Sequence, residues 1–254
     1  MEDTPVDMVP DRPWQGPFPT WQAAVDACPP HASPWASASW LRRQEHLTAQ
    51  TRETILAPPR PTTLPVLAAV TRARSILDFG GGSGWILPLL DRTCPEHCVA
   101  RYVVAEVAEA CEYFAELENS DNRLKFVPID RCQDMGDFDI VYSNSTLQYG
   151  ASPEHLLASC TAAGPSPLII FDGLLASPDR DFFLIQYVYG AWVPVHIYSL
   201  TDLRIQLHGL GYEIRVMTKM LGPFREGYSY DLPLEHLNSP AMNASRFCLV
   251  AEYG

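Results

Sequence analysis

Asp78-Phe79-Gly80-Gly81-Gly82-Ser83-Gly84 is the stretch on which the fold turns. It closes a short apolar run that begins at Ser75 and precedes an amphipathic pattern starting near Trp85, so it reads as the turn between a buried strand and a helix. Glycines at 80, 82 and 84 permit positive φ and close approach of a ligand to the backbone, while the next helix offers its positive N-terminal end. A dinucleotide fingerprint Gly-x-Gly-x-x-Gly begun at Gly80 would need a glycine where Trp85 stands, and no Gly-Lys-Ser/Thr follows for a P-loop. Both pyrophosphate readings are disfavoured, and a plain strand-to-helix turn is the bland alternative.

Outward from this loop, short β-branched runs alternate with longer amphipathic ones, the pattern of βαβ units around a parallel sheet. Strands are expected over residues 75–79, 101–105, 124–128, 138–143 and 168–171, and a final pair over 212–217 and 247–252. Helices are expected over 107–117, over 153–163 with Ser152 as cap and Pro153 in the first turn, and over 201–207 with Ser199 as cap. The fold class is therefore α/β, a Rossmann-like seven-stranded, mostly parallel sheet with helices on both faces. Residues 1–60 carry Trp14, Phe18, Trp21, Trp35 and Trp40 among prolines. Those rings need a surface to bury against, which predicts an N-terminal helical appendage packed on a domain spanning 61–254, with one helix over 40–56 stopped by Pro58, Pro59 and Pro61.

Acidic and polar residues recur at the ends of the expected strands. Glu106 ends the second strand twenty-two residues past Gly84, where related nucleotide folds place a carboxylate that accepts ribose hydroxyls. Glu109 and Glu112 compete but fall on the following helix. Asp130 follows the third strand, within reach of an adenine amino group, or simply makes a turn. The fourth strand opens into Ser143-Asn144-Ser145-Thr146-Leu147-Gln148-Tyr149 beside the first, at the switch point where open α/β sheets bind ligands. Ser143 and Asn144 are candidate cofactor contacts, Gln148 a substrate contact and Tyr149 a reactive-site residue; a turn with a core tyrosine is the alternative.

The order of Asp78 to Gly84, Glu106, Asp130 and 138–149 resembles the class I S-adenosylmethionine-dependent methyltransferases over about residues 72–252. The resemblance implies S-adenosylmethionine as cofactor, S-adenosylhomocysteine as product, and cofactor contacts from Asp78, Gly80, Gly81, Gly82, Gly84, Glu106, Asp130, Ser143 and Asn144. Trp14-Gln15-Gly16 with Thr20-Trp21-Gln22-Ala23-Ala24 and the later Leu147-Gln148-Tyr149 is similar to a bacterial group associated with polysaccharide and surface-sugar biosynthesis. In that group an Arg follows the acid ending the fifth strand; here Gly173 follows Asp172.

A methyl carried on a sulfonium is already activated, so such a protein mainly aligns the acceptor and excludes water. A hydroxyl or ammonium acceptor must still lose a proton. His196 is the first candidate base, because it lies in the aromatic stretch 173–200, read as a substrate lid, and Tyr149 is the second candidate catalytic residue. Tyr187, Trp192 and Tyr198 are candidate substrate contacts from the same stretch, although packed rings and a structural histidine would look alike in sequence. Trp35, Trp40, Arg43 and His46 are candidate pocket residues from the N-terminal segment, so deleting 1–60 is expected to impair activity more than cofactor binding. The expected acceptor is a small molecule, a sugar or natural-product hydroxyl or amine. A noncatalytic cofactor-binding scaffold is the alternative, and a nicotinamide oxidoreductase is disfavoured by Trp85 and by the lack of a Tyr-x-x-x-Lys pair.

Bulk properties narrow the partners. A chain of 254 residues, 47% hydrophobic and with a formal charge of −12, can bury one large core but offers little to phosphate backbones or anionic membranes. No nucleic acid and no membrane partner is expected, and a homodimer is compatible with the sequence. The acidic, Pro-bearing residues 1–10 do not resemble a secretory signal, which predicts a cytoplasmic protein. Seven cysteines without framework spacing read as reduced thiols; Cys94, His97 and Cys98 lack a fourth ligand for structural zinc, and no metal is expected.

Overall fold

The computed structural model describes residues 13–31, 33–53, 63–95, 99–150, 167–219 and 245–254. The parallel strands are β2 (Ser75–Phe79), β3 (Arg101–Glu106), β4 (Leu124–Pro128), β5 (Ile140–Asn144) and β6 (Leu168–Ser177); the first four lie within two residues of their expected places, whereas β6 runs on past residue 171 to Ser177 and takes 173–177 out of the stretch expected as a lid. β9 (Tyr212–Lys219) and β10 (Ser245–Tyr253) complete a seven-stranded sheet in the order β4-β3-β2-β5-β6-β10-β9, with β10 antiparallel to both neighbours. Ile76 and Leu77, like Val103 and Val104, are buried on opposite faces, as a parallel sheet covered on both sides requires.

Helices α2 (Ala38–Glu53), α3 (Thr63–Thr71), α4 (Ile86–Thr93) and α5 (Ala108–Glu118) cover one face through Trp40, Leu64, Ile86, Leu90 and Phe114. The other face is covered by Leu203 and Leu207 of a helix at Leu200–Gly209. Ser199 caps that helix as expected, its Oγ accepting from Asp202 N at 3.1 Å. The helix expected over 153–163 lies outside the described residues, as do His97 and Cys98 and residues 54–62.

The N-terminal segment differs from a purely helical appendage. Besides a helix α1 (Trp21–Ala27) and α2 it contains a strand, β1 (Trp14–Phe18). β1 pairs antiparallel with β7 (Phe182–Val188), which pairs with β8 (Ala191–Ser199), so residues 14–18 and the expected lid together make a three-stranded antiparallel sheet. Tyr189 and Gly190, at φ 47° and 85°, form the two-residue turn between β7 and β8. Among the described residues this small sheet joins the large one through β8 and the end of β6, at Ala176 opposite Tyr198 and Ser177 opposite Ser199.

Candidate functional site at the carboxyl edge of the sheet

The glycine loop leaves β2 at its carboxyl end, and Gly80, Gly82 and Gly84 have φ of 72°, 60° and 69°. Side chains press on it from three sides. A Cβ on Gly80 would lie 2.2 Å from Thr146 Cγ2, one on Gly81 2.3 Å from Asp78 Cγ, and one on Gly82 2.3 Å from Gln44 Oε1. Glycine is thus required by space as well as by backbone conformation.

Two buried carboxylates flank the loop. Asp78 accepts from Tyr102 Oη at 2.5 Å through Oδ2, while its Oδ1 has no partner among the described residues. Glu106, 5% exposed, accepts from Gly82 N at 3.2 Å through Oε1 and from Val107 N at 2.9 Å through Oε2. Burial pushes Asp78 up to about 7, with Tyr102 acting against it and Glu106 adding to it. Burial likewise pushes Glu106 up to about 7, against the two backbone N–H groups. A third acid, Asp172, is raised by burial in spite of hydrogen bonds from Thr63 Oγ1 at 3.2 Å and Tyr142 Oη at 3.1 Å.

The turn after β5 closes the loop from the switch-point side. Thr146 Oγ1 donates to Gly80 O at 3.3 Å, and Asn144 sits opposite Asp172 in the β5–β6 pairing. Ser143 Oγ and Gln148 Oε1 are buried and without a partner among the described residues; Gln148 Nε2 donates to Ser145 O at 2.7 Å. Asp78, the glycines, Glu106, Ser143 and Asn144 are therefore brought together. Asp130 is exposed, in the 3-10 turn Ile129–Met135 that starts beyond Pro128, the residue opposite Glu106.

Gly173 has φ 66°, and a Cβ there would meet Ser145 Oγ at 2.2 Å. An arginine after Asp172 would have to take a left-handed backbone conformation and displace that hydroxyl, so the glycine answers to the β5 turn packed against it.

α2 supplies residues that the sequence reading did not single out. Gln44 and Thr48 are buried against the loop: Ser83 Oγ donates to Gln44 O at 3.0 Å and lies 2.7 Å from Thr48 Oγ1. Gln44 Oε1 has no partner among the described residues. Buried polar side chains on an amphipathic helix carry no local signal; only the partner loop gives them meaning. Their position ties the N-terminal segment to the glycine loop itself.

Of the candidate reactive residues, Tyr149 stands on the switch-point turn. Its ring centroid is 4.7 Å from that of Trp35, and its hydroxyl donates to Gln186 Oε1 at 3.1 Å. Burial pushes the phenol up to about 12. His196 is not on that side. Successive residues of a strand face opposite ways, and His196 is paired with Phe183 and Trp192 with Tyr187, whereas Gln186 is paired with Val193. His196, Tyr187 and Trp192 thus share the face of the small sheet that turns away from Gln186 and Tyr149. The His196 ring packs 3.9 Å from Tyr198 and 4.7 Å from Phe183, centroid to centroid, and Trp21 of α1 covers Phe183. His196 Nε2 is 3.2 Å from Asp181 Oδ1, though neither ring nitrogen has hydrogen-bond geometry to any described residue. Burial acts to raise Asp181, but His196 and the Ser199 N–H together hold it below the usual range. Tyr198 Oη donates to Leu147 O at 2.9 Å, bracing the turn that carries Tyr149.

Among the described residues there is no group of three potential metal ligands and no helix long and apolar enough to cross a membrane.

No family profile and no curated protein matches the chain. Solved structures do. A chain of the Haloferax volcanii complex of the Trm112 methyltransferase activator with a methyltransferase is 16% identical, with a TM-score of 0.52 over 85% of this chain and 94% of that one. Burkholderia thailandensis 1,6-didemethyltoxoflavin-N1-methyltransferase, with bound 1,6-didemethyltoxoflavin and S-adenosylhomocysteine, is 15% identical, with a TM-score of 0.49 over 89% and 92%. Synechocystis magnesium protoporphyrin IX methyltransferase with bound S-adenosylmethionine is 13% identical, with a TM-score of 0.46 over 89% and 86%. On the first of these likenesses and its own strand order, the chain has the Rossmann-like α/β fold found in the Haloferax volcanii methyltransferase complex.

Proposed function

We propose that this protein is an S-adenosylmethionine-dependent methyltransferase acting on a small-molecule acceptor, a hydroxyl or amine of a sugar or natural product. The observation that carries the reading is the convergence on one glycine loop of the Glu106–Gly82 hydrogen bond and two buried acceptor atoms without partners among the described residues, Gln44 Oε1 and Asp78 Oδ1. Unpaired buried acceptors cost free energy and are retained where a donor-bearing ligand satisfies them.

The residues fit the cofactor. Gln44 and Asp78 would take its ammonium group, the loop N–H groups its carboxylate, Glu106 its ribose hydroxyls and Asp130 its adenine amino group. S-adenosylmethionine supplies an electrophilic methyl on a sulfonium leaving group. Ionised Glu106 and Asp78 favour a cationic ligand, and their burial strengthens that attraction. Asn144 and Gln148 offer polar contacts to the acceptor from the switch-point turn. Tyr149 holds its phenolic proton at neutral pH and donates it to Gln186, which leaves the phenol oxygen to orient an acceptor by accepting a hydrogen bond. Trp35 and Tyr149 exclude water from the same side.

Calorimetric titration with S-adenosylmethionine, S-adenosylhomocysteine and NAD, on wild type and Glu106→Ala, tests the reading. Micromolar binding of both sulfur ligands, weakened at least tenfold by the substitution, is expected. NAD binding without response to either sulfur ligand overturns it. S-adenosylhomocysteine accumulating when acceptors are added separates the enzyme from a cofactor-binding scaffold.

A further inference from the structure

The buried stripe of α2 turns polar where it meets the glycine loop. Trp40, Leu41, Gln44, Thr48 and Thr51 face inward at helical spacing, and Gln44 and Thr48, one turn apart, are 8% and 7% exposed. Ser83, on the loop and 1% exposed, donates through Oγ to Gln44 O and stands 2.7 Å from Thr48 Oγ1. With its own proton committed to that carbonyl, the serine oxygen accepts from Thr48, so one loop residue is bonded to two successive turns of the helix. Arg92 of α4, the helix that leaves the loop, caps the carboxyl end of α2 by donating to Thr51 O at 3.0 Å and to Arg52 O. These anchors fix how α2 lies on the loop. Their product is the placing of the Gln44 amide: its Oε1 sits 2.3 Å from where a Cβ on Gly82 would stand, buried and with no donor among the described residues.

We propose that Thr48 and Ser83 are positioning residues for the amino-acid end of the cofactor: their hydroxyl pair sets the register of α2 that holds Gln44 Oε1 over Gly82 to receive the ammonium group. The proposal rests on the methyltransferase reading above. Slipping α2 by one residue would carry the amide about 1.5 Å along the helix axis and about 100° around it, away from the loop. An apolar pair at 48 and 83 would pack as well, since exchanging both partners of a buried hydrogen bond for apolar groups of the same shape is nearly neutral. It would set no register, because apolar contact is not directional. The nucleoside end of the cofactor falls to Glu106 and Asp130, which stand on other elements and do not depend on the pair.

Calorimetric titration of the full chain with S-adenosylhomocysteine and with 5′-methylthioadenosine, which keeps the nucleoside and the sulfur but lacks the amino acid, separates positioning from plain packing. Wild type should bind S-adenosylhomocysteine the more tightly. Thr48→Val and Ser83→Ala should each weaken S-adenosylhomocysteine about fivefold, the scale of one directed hydrogen bond, and leave 5′-methylthioadenosine within about twofold. Thr48→Ser, which keeps the hydroxyl, should retain most of the affinity. On a Gln44→Met background, Thr48→Val should weaken S-adenosylhomocysteine no further, because the group it positions is already gone. The proposal is overturned if wild type binds the two ligands alike, if both single variants weaken them equally or leave S-adenosylhomocysteine untouched, or if the losses from Gln44→Met and Thr48→Val add. If wild type binds neither ligand, the methyltransferase reading itself fails and takes this proposal with it.

Discussion

Tyr102 and Asp78 are joined across neighbouring parallel strands by a 2.5 Å hydrogen bond that supplies the carboxyl group with its one partner among the described residues. Tyr102→Phe would leave both Asp78 oxygens buried and unbonded. The expected cost is about 1–3 kcal/mol, read as a lower denaturation midpoint with unchanged m-value. An unaltered midpoint would show that Asp78 finds solvent or another donor.

Asp78 and Glu106 both sit at about 7 in the fold, whereas carboxylates in an unfolded chain titrate near ~4. Between those values the folded protein binds more protons than the unfolded one. Their contribution to stability is therefore full below about pH 4 and lost as pH rises towards about 7. A cationic cofactor favours the ionised pair, so its binding should release protons and tighten as pH rises from 6 to 8. Calorimetry in buffers of different ionisation enthalpy measures the release. Glu106→Gln should lose much of the pH dependence, and proton uptake on binding would contradict the assignment.

Gln44 holds a buried carbonyl oxygen against Gly82 with no donor among the described residues. Gln44→Met keeps the packing volume and removes the unsatisfied group. The ligand-free protein should gain on the order of 1 kcal/mol, while S-adenosylmethionine affinity falls several-fold. Thermal unfolding with and without cofactor reads both. Equal stabilisation in both states would show that Gln44 is not a cofactor contact.

Tyr149 and His196 face opposite sides of the small sheet, which separates their roles. Tyr149→Phe breaks the link to Gln186 and should lower kcat/KM about tenfold without shifting the acid limb of the pH profile, because its phenol stays protonated to about 12. His196→Gln should lower stability more than turnover, since its ring is packed between Phe183 and Tyr198. Loss of the acid limb in His196→Gln would restore the histidine as a base.

The glycine-loop half of the site was readable because its information is local. Glycine spacing fixes the turn after β2, apolar runs fix the strands, and an acid at the end of the next strand follows from chain distance alone. The half around Tyr149 depends on pairing across the chain: Trp14 meets Gln186, and nothing near either residue announces the other. Tyr189-Gly190 between alternating apolar residues was a hairpin signal in the stretch read as a lid. It would have put His196 and Gln186 on opposite faces before any coordinates. Gln44 had no comparable signal, because it matters only through the glycine loop packed against it.

The seven-stranded and three-stranded sheets meet at two residue pairs near the end of β6. β1, β7 and β8 hydrogen-bond to none of the strands that carry Asp78, Glu106 or Asn144. Side chains make the link instead: Tyr198 of β8 donates to Leu147 O and Gln186 of β7 accepts from Tyr149, so a change in the small sheet reaches the glycine loop through the turn after β5. Under the function proposed above, the small sheet can be reshaped around a different acceptor as long as that one turn keeps its place.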